Sequence, residues 1–296
     1  MAPFLAARLG ARVTAVFVSS LIDRLVDAAL AEDLEGGDLT TEATVPAEAR
    51  AVARAVARSE LVVCGGEVFA RVFYRVDPGV RVERLLDEGA DAKKGDVLWV
   101  AEGAARSLLM AERTALNFAQ RMSGIATLSR RYVRALPAGS RTRVTDTRKT
   151  TPGLRALERY AVRTGGAHNH RDTLGSAVLI KDNHIQAAGG IGVAVESARA
   201  RAPHTSKIEI EVASLAELGE ALAAGADIVM LDNFSPSDVV AGVALAKGKA
   251  LVEVSGGVTL ERIAELAAKG VDVISSGALT HSAPSADIAL DLERLG

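Results

Sequence analysis

Short apolar runs recur through the second half of the chain, and each run ends at a polar residue or a glycine. The six end points are Asp146, Lys181, Glu211, Asp232, Ser255 and Gly277. The last four are 21, 23 and 22 residues apart, with amphipathic segments such as SLAELGEALAAG between them. This spacing predicts parallel strands joined by right-handed helical crossovers, arranged as an α/β barrel. A doubly wound open sheet is the alternative, although no GxGxxG motif follows the first strand.

The first half of the chain has a different pattern of apolar residues and turns. Apolar residues at helical spacing predict a helix from Ser20 to about Asp33. Over residues 49–103, Val-rich segments alternate with glycine turns, which predicts a small sheet crossed by a helix over residues 66–74. The pattern becomes helical again over residues 105–135, with Gly124 as an expected break.

Composition narrows the class of protein. The chain is 49% hydrophobic but only 3% aromatic, which is typical of α/β proteins. A net charge of −2 lacks the basic excess of nucleic-acid-binding proteins. The single cysteine, Cys64, excludes an internal disulfide and a cysteine-rich metal site. No apolar run approaches the roughly 20 residues that span a bilayer, so we expect a cytoplasmic protein without a membrane partner.

The first 18 residues combine small and apolar side chains with two arginines. A signal peptide is one interpretation, but Arg12 interrupts the apolar run and no clean cleavage site follows. We therefore expect residues 1–18 to form a flexible extension.

Positive charge is concentrated between residues 141 and 185. This segment has nine Lys or Arg and four Asp or Glu, a formal charge of +5, and three of the five histidines. The candidate ligand-binding residues are Arg148, Lys149, His170, Arg171 and Lys181. Guanidinium groups bind planar carboxylates in a bidentate way, so the cluster predicts a ligand with several carboxylates or phosphates. A solvated basic surface is the alternative.

Two further patterns occur at the later strand ends. Glu211 and Asp232, one repeat apart, offer hard oxygen ligands for Mg²⁺ or for a sugar diol, unless they pair with the nearby cations. The Ser255-Gly256-Gly257 and Ser276-Gly277 turns predict a phosphate-binding cup, with Thr280 and His281 on its rim. Either turn alone is compatible with a simple strand–helix connection.

Nine ordered motifs carry a family resemblance over residues 21–292. They are AEDLEGGDLTTEATVP (31–46), AERTALNFAQRMSGIAT (111–127), DTRKTTPGLR (146–155), AVRTGGAHNHR (161–171), LIKDNHI (179–185), IEIEV (208–212), MLDNF (230–234), VSGGV (254–258) and GALTHS (277–282). The chain resembles the quinolinate phosphoribosyltransferase family. Glu35 and the segment Asp172–Ser176 depart from the usual family pattern, which affects the expected loop shape but no cationic residue.

The resemblance implies an N-terminal α/β sandwich domain over residues 19–125 and an incomplete α/β barrel over residues 126–283. Residues 284–296 are expected to pack back on the first domain. It also implies a homodimer with shared active sites and a Mg²⁺-dependent pentosyltransferase, nicotinate-nucleotide diphosphorylase (carboxylating). The substrates would be quinolinate and phosphoribosyl pyrophosphate.

The resemblance also assigns site residues by motif. Those expected around quinolinate and pyrophosphate are Arg113, Arg148, Lys149, His170, Arg171 and Lys181. Glu211 and Asp232 would hold the ribose hydroxyls and Mg²⁺, while Ser255, Gly256 and Gly277 would hold the 5′-phosphate. The residues expected to act in catalysis are Lys149, Lys181, Glu211 and Asp232.

Three other functions compete with this interpretation. A paralogous phosphoribosyltransferase-like enzyme associated with molybdate transport shares the architecture, but the complete NHR and LIKDNHI motifs argue against it. A Schiff-base aldolase would use Lys181 as its nucleophile. A non-catalytic nucleotide-binding protein would not need Glu211, Asp232 and the whole set of cations.

Overall fold

The computed structural model describes residues 19–296, so the extension predicted over residues 1–18 lies outside the described part of the chain. The N-terminal elements are α1 Ser19–Leu34, α2 Leu39–Thr44, β1 Arg50–Ala57, β2 Leu61–Val62, α3 Gly66–Val76, β3 Arg81–Arg84, β4 Asp91–Ala92, β5 Val97–Ala104 and α4 Ala105–Arg134. The later elements are β6 Arg143–Thr145, α5 Arg155–Thr164, β7 Val178–Ile180, α6 Asp182–Ala188, α7 Ile191–Arg201, β8 Ile208–Val212, α8 Leu215–Ala223, β9 Ile228–Asp232, α9 Pro236–Ala246, β10 Leu251–Ser255, a 3₁₀ turn Leu260–Arg262, α10 Ile263–Ala268, β11 Val273–Ser275, α11 Ala278–His281 and β12 Ile288–Arg294.

An antiparallel sheet with the strand order β12-β1-β5-β3 forms the N-terminal part. Ala51, Ala53 and Ala55 of β1 are fully buried, because alternate side chains of a strand point to the same face. Helices α1, α3 and α4 pack on one another, and α4 also packs on β1, β5 and β12. The result is the predicted two-layer α/β sandwich. Its edge strand β12 comes from the far end of the chain, with Ala53 opposite Leu292.

The second sheet is parallel and has the order β6-β11-β10-β9-β8-β7. Strands β7 to β11 follow one another in sequence, and the first strand, β6, pairs with the last, β11. That pairing is how a barrel closes, so the barrel prediction is confirmed and the doubly wound alternative is wrong. Within residues 19–296, β6 and β7 are not paired with each other, which leaves the barrel incomplete at this point. Thr145 of β6 instead forms an isolated parallel bridge with His168, in the segment that precedes β7.

The long helix α4 corrects one expectation. It runs without interruption for 30 residues, so the break expected at Gly124 is wrong. A Cβ atom at this position would lie 2.0 Å from the carbonyl oxygen of Pro284. Gly124 therefore permits the close approach of the segment that leads into β12, and it does not end the helix.

No helix within residues 19–296 combines the length and the apolar character that a membrane crossing requires.

Candidate active site

The carboxyl ends of the barrel strands bring most of the predicted site residues to one edge of the sheet. Glu211 lies near the end of β8, Asp232 ends β9 and Ser255 ends β10, with Ser255 directly opposite Asp232. Lys181 follows β7 and is the N-cap of α6. Because parallel strands share one carboxyl edge, these side chains line a common rim.

Lys181 and Glu211 form an ion pair across adjacent strands. Glu211 therefore pairs with a nearby cation, which is the alternative that the sequence left open for this residue. Asp232 differs, since no ion pair within residues 19–296 includes it. Its Oδ2 accepts a hydrogen bond from the Asn233 side chain at 3.0 Å. Asp232 thus keeps an acidic group available at the rim.

Arg148 and Arg171 lie close together and are only partly exposed. Burial and the charge of Arg148 lower the pKa of Arg171, while the carboxylate of Glu209 opposes this effect. Within the described residues, the Nε atoms of both arginines are buried and have no hydrogen-bond partner. Buried donors without partners are costly, so this arrangement suits an anionic ligand that would accept from both.

A buried acidic pair lies beside His170. The imidazole Nε2 is 3.2 Å from Glu209 Oε2 and 3.6 Å from Glu253 Oε1. Its Nδ1 accepts the backbone N–H of Arg171 at 2.7 Å, which requires an unprotonated Nδ1, so a neutral ring donates from Nε2. Burial opposes the charged ring, but the hydrogen bond to Glu209 and the charges of Glu253 and Glu209 raise the pKa of His170. Both ring nitrogens are therefore occupied by groups of the chain itself.

Within this group, the pKa of Glu253 departs most from its ordinary value. Burial, followed by the negative charge of Glu209, raises the pKa of Glu253 to about 7. Glu209 and Glu253 each have one buried oxygen, Oε1, that accepts no hydrogen bond from the described residues. These two residues and His170 could also serve as a set of metal ligands, since their donor atoms lie within 4.8 Å of one another.

The glycines of the predicted phosphate cup leave room for neighbouring side chains. Gly256 has φ +83°, and a Cβ there would lie 2.3 Å from Asn233 Oδ1. A Cβ on Gly277 would lie 3.1 Å from Cδ of Lys149. Side chains at these positions would thus displace the residues beside them.

The two residues predicted on the cup rim differ from each other. Thr280 is fully buried, and its hydroxyl donates to the backbone carbonyl of Lys149 at 2.7 Å. Its expected place on the rim is therefore wrong, because its side chain holds the loop that carries Lys149. His281 is exposed, and its Nδ1 is 2.7 Å from the hydroxyl of Ser282.

Arg113 is the predicted site residue that α4 carries. It is exposed on α4 and lines a cavity of about 200 Å³ together with Asp33, Asn117, Arg121 and Leu154. Within residues 19–296, no hydrogen bond or ion pair joins Arg113 to another predicted site residue.

Glu209, Glu253 and Asp146 are the residues at this site that the sequence did not single out for a role. Glu209 and Glu253 each lie two residues before a predicted site residue in the same strand. Because alternate side chains of a strand point to the same face, this spacing could have indicated that both residues face the site. Asp146 is fully buried and accepts the His170 N–H at 2.8 Å and the Asn169 amide at 2.6 Å. Burial raises the pKa of Asp146 in spite of these contacts.

The fold and the site together define a class of protein, an α/β-barrel enzyme whose carboxyl edge binds anionic substrates. Comparisons with known proteins specify the family. Residues 38–123 match the model of the quinolinate phosphoribosyl transferase N-terminal domain, and residues 125–291 match that of the C-terminal domain. The chain belongs to the quinolinate phosphoribosyltransferase family.

Individual relatives agree with this assignment. The chain is 45% identical to the nicotinate-nucleotide pyrophosphorylase [carboxylating] of Mycobacterium leprae, over 89% of this chain and 94% of the relative. It is 42% identical to the human protein of the same name, over 90% of each chain. The crystal structure of NadC from Streptococcus pyogenes superimposes with a TM-score of 0.90 and 41% identity, covering 96% of this chain and all of that one.

Proposed function

We propose that the protein transfers the phosphoribosyl group of phosphoribosyl pyrophosphate to quinolinate and removes one carboxylate as CO₂. The products are nicotinate mononucleotide and pyrophosphate, in the de novo biosynthesis of NAD. The observation that supports this best, in a chain of this family, is the pair Arg148 and Arg171, whose buried Nε donors have no hydrogen-bond partner among the described residues. Quinolinate is a dicarboxylate and would satisfy both groups.

The phosphoribosyl substrate would lie across the other half of the rim. We assign the ribose hydroxyls to Glu211 and Asp232, and the 5′-phosphate to Ser255, Gly256 and Gly277. The turn at Gly256, with its positive φ, lets backbone N–H groups approach an anion closely. Lys149, packed against Gly277, would add positive charge near the pyrophosphate.

The available oxygen ligands fit a magnesium ion. Asp232 is free of ion pairs among the described residues and would hold the ion, with Glu211 contributing if Lys181 moves. Bound Mg²⁺ would supply positive charge to the departing pyrophosphate.

The residues of the chain would stabilise both kinds of charge that develop. Departure of pyrophosphate leaves positive charge on the ribose, which the carboxylates of Glu211 and Asp232 would stabilise. Loss of CO₂ leaves an electron pair on the pyridine ring, which Arg148, Arg171 and Lys181 would stabilise. The side-chain nitrogen of Lys181 is engaged by Glu211, so we do not favour the aldolase alternative.

We also propose a homodimer in which Arg113 of one subunit reaches the barrel mouth of the other. Arg113 is exposed on α4, and among the described residues no hydrogen bond or ion pair joins it to another predicted site residue, which supports this arrangement.

A turnover assay tests the proposed function. Purified protein is incubated with quinolinate, phosphoribosyl pyrophosphate and Mg²⁺, and nicotinate mononucleotide is quantified by chromatography. We expect product only when both substrates are present, and less product after chelation of the metal. A folded protein that forms no nicotinate mononucleotide would refute the proposal. Borohydride trapping of Lys181 with carbonyl compounds tests the aldolase alternative.

A further inference from the structure

Arg121, in the middle of α4, binds two separate segments at the rim of the barrel. Its Nε and Nη2 donate to Glu158 Oε1 at 3.0 and 2.7 Å. Its Nη1 donates to the carbonyl of Ala283 at 3.0 Å, and Nη2 also donates to the carbonyl of Thr280. The Glu158 side chain is only 1% exposed, so the ion pair is largely shielded from water.

Two partners of Arg121, Glu158 and Thr280, hold the loop that contains Lys149, and Nη2 of Arg121 also donates to the Thr151 hydroxyl at 3.5 Å. Glu158 accepts the backbone N–H of Thr151 at 3.0 Å and its hydroxyl at 2.7 Å. Thr280 donates its hydroxyl to the carbonyl of Lys149 at 2.7 Å. The segment from Lys149 to Thr151 is therefore held at each end by a group that Arg121 binds.

The neighbouring Arg148 has a separate support. Arg155 donates to the hydroxyl of Thr150 at 3.1 Å and to the carbonyl of Arg148 at 3.5 Å. Lys149, in contrast, packs its Cδ against Gly277 in the glycine turn after β11. A shift of this loop relative to α11 would move Lys149 out of that contact while the support of Arg148 remains.

We propose that Arg121 is a positioning residue that sets the place of the Lys149 side chain relative to the glycine turn at Gly277. The inference rests on the proposed function, in which Lys149 acts on the pyrophosphate end of the substrate. A small displacement of a catalytic group lowers turnover steeply, so Arg121→Ala should lower kcat about 10- to 100-fold. The affinity for quinolinate should stay within about threefold, because Arg148 keeps its own support.

Arg130 is a matched control on the same helix. Its side chain is 23% exposed, the same fraction as that of Arg121. It donates to the carbonyls of Gly165, Thr164 and Gly89 at 2.9 to 3.2 Å, none of which belongs to a predicted site residue. Arg130→Ala should lower the melting temperature as Arg121→Ala does, but it should leave kcat within about twofold.

The experiment compares wild type, Arg121→Ala, Arg121→Lys and Arg130→Ala. The measurements are kcat, KM for each substrate, calorimetric quinolinate affinity, and amide hydrogen exchange at Thr151. Arg121→Lys keeps a positive charge beside Glu158 but loses the forked geometry, so it should fold and still lose at least about tenfold in kcat. Exchange at Thr151 should be faster in the Arg121 variants only.

Turnover of the Arg121 variants equal to that of wild type would overturn the proposal. An equal loss of kcat in Arg130→Ala would overturn it as well, because the effect would then follow stability alone. Wild-type protein without product would refute the proposed function instead, and the exchange rate of the Thr151 amide would still decide whether Arg121 holds the loop.

Discussion

Arg148 and Arg171 place two guanidinium groups side by side in a partly buried region, where the charge of Arg148 lowers the pKa of Arg171 and the carboxylate of Glu209 raises it. Like charges at short distance in a region of low dielectric repel each other. A dianionic ligand would relieve that repulsion. The strength of quinolinate binding should therefore depend on each arginine.

Arg148→Ala should weaken quinolinate binding by roughly 2–4 kcal/mol, because one ligand carboxylate would lose a charged partner in a partly buried site. Binding of phosphoribosyl pyrophosphate should change little. Calorimetry with each substrate separately measures both effects, and Arg141→Ala, which removes an exposed arginine, is the control. Unchanged quinolinate affinity in a folded Arg148 variant would exclude this role.

Glu253 should make the stability of the protein depend on pH. Its pKa is about 7 in the folded state against an ordinary value of 4.5, so the folded state holds a proton that the unfolded chain releases earlier. Stability should therefore fall as the pH rises from about 4.5 to about 7, and level off above that range. The difference of about 2.5 units corresponds to a loss on the order of 3 kcal/mol.

Glu253→Gln should remove most of this pH dependence, because an amide has no proton to lose and nearly the same volume. Thermal unfolding of the wild type and the variant between pH 5 and pH 8 measures the effect. Glu102→Gln, which changes an exposed carboxylate, should follow the wild type. A Glu253 variant with the same slope as the wild type would show that another group is responsible.

Among the structural elements, α4 connects the two parts of the protein. It packs on the N-terminal sheet, on α5 and on α11. Its middle holds Gly124 against the segment that precedes β12. The contact at Gly124 is with backbone, which cannot move aside as the end of a flexible side chain can.

Gly124→Ala should destabilise the protein by about 1–3 kcal/mol, because the added methyl group overlaps the carbonyl of Pro284. Gly219→Ala, inside α8, is the opposite case, since a Cβ there would have no atom within 4 Å. It should stabilise the protein by about 0.5–1 kcal/mol, the ordinary helix preference of alanine over glycine. Urea unfolding compares the two, and equal shifts of the same sign would contradict the explanation.

The same helix shows why part of the site could not be predicted. Strand ends such as Asp232 were visible in the sequence because a local apolar pattern stops there, and Glu209 and Glu253 were accessible through the two-residue period of a strand. The pairing of Arg121 with Glu158 and Thr280, and the contact of Gly124 with Pro284, join segments far apart in sequence. No local pattern in the sequence contains such contacts. Without knowledge of the contact with Pro284, the glycine in α4 was interpreted as a helix break.

At the scale of the whole molecule, the repeat of strands and helices was enough to predict the barrel, because each unit follows local rules. The opening between β6 and β7 was not visible in that repeat. The loop that carries His170 and Arg171 crosses this opening, and in the described part of the chain an isolated bridge at His168 joins its start to β6. The segment at which the barrel is incomplete is therefore the same segment that carries His170 and Arg171 to the site.

The proposed shared sites make a prediction about mixed dimers. Arg113→Ala and Lys181→Ala should each be inactive alone. After subunit exchange about half of the dimers are heterodimers, and each has one site with both changes and one with neither. Up to about a quarter of wild-type activity should return. If subunits exchange and no activity returns, Arg113 does not act across the interface.

The pairing of β12 with β1 has a consequence for biosynthesis. The ribosome makes β1 early, but it makes the whole barrel before β12. Until then β1 has an unpaired edge, which is the kind of edge that recruits other strands. The N-terminal sheet therefore cannot be completed as an autonomous unit during translation, and its final assembly must wait until the barrel has been synthesised.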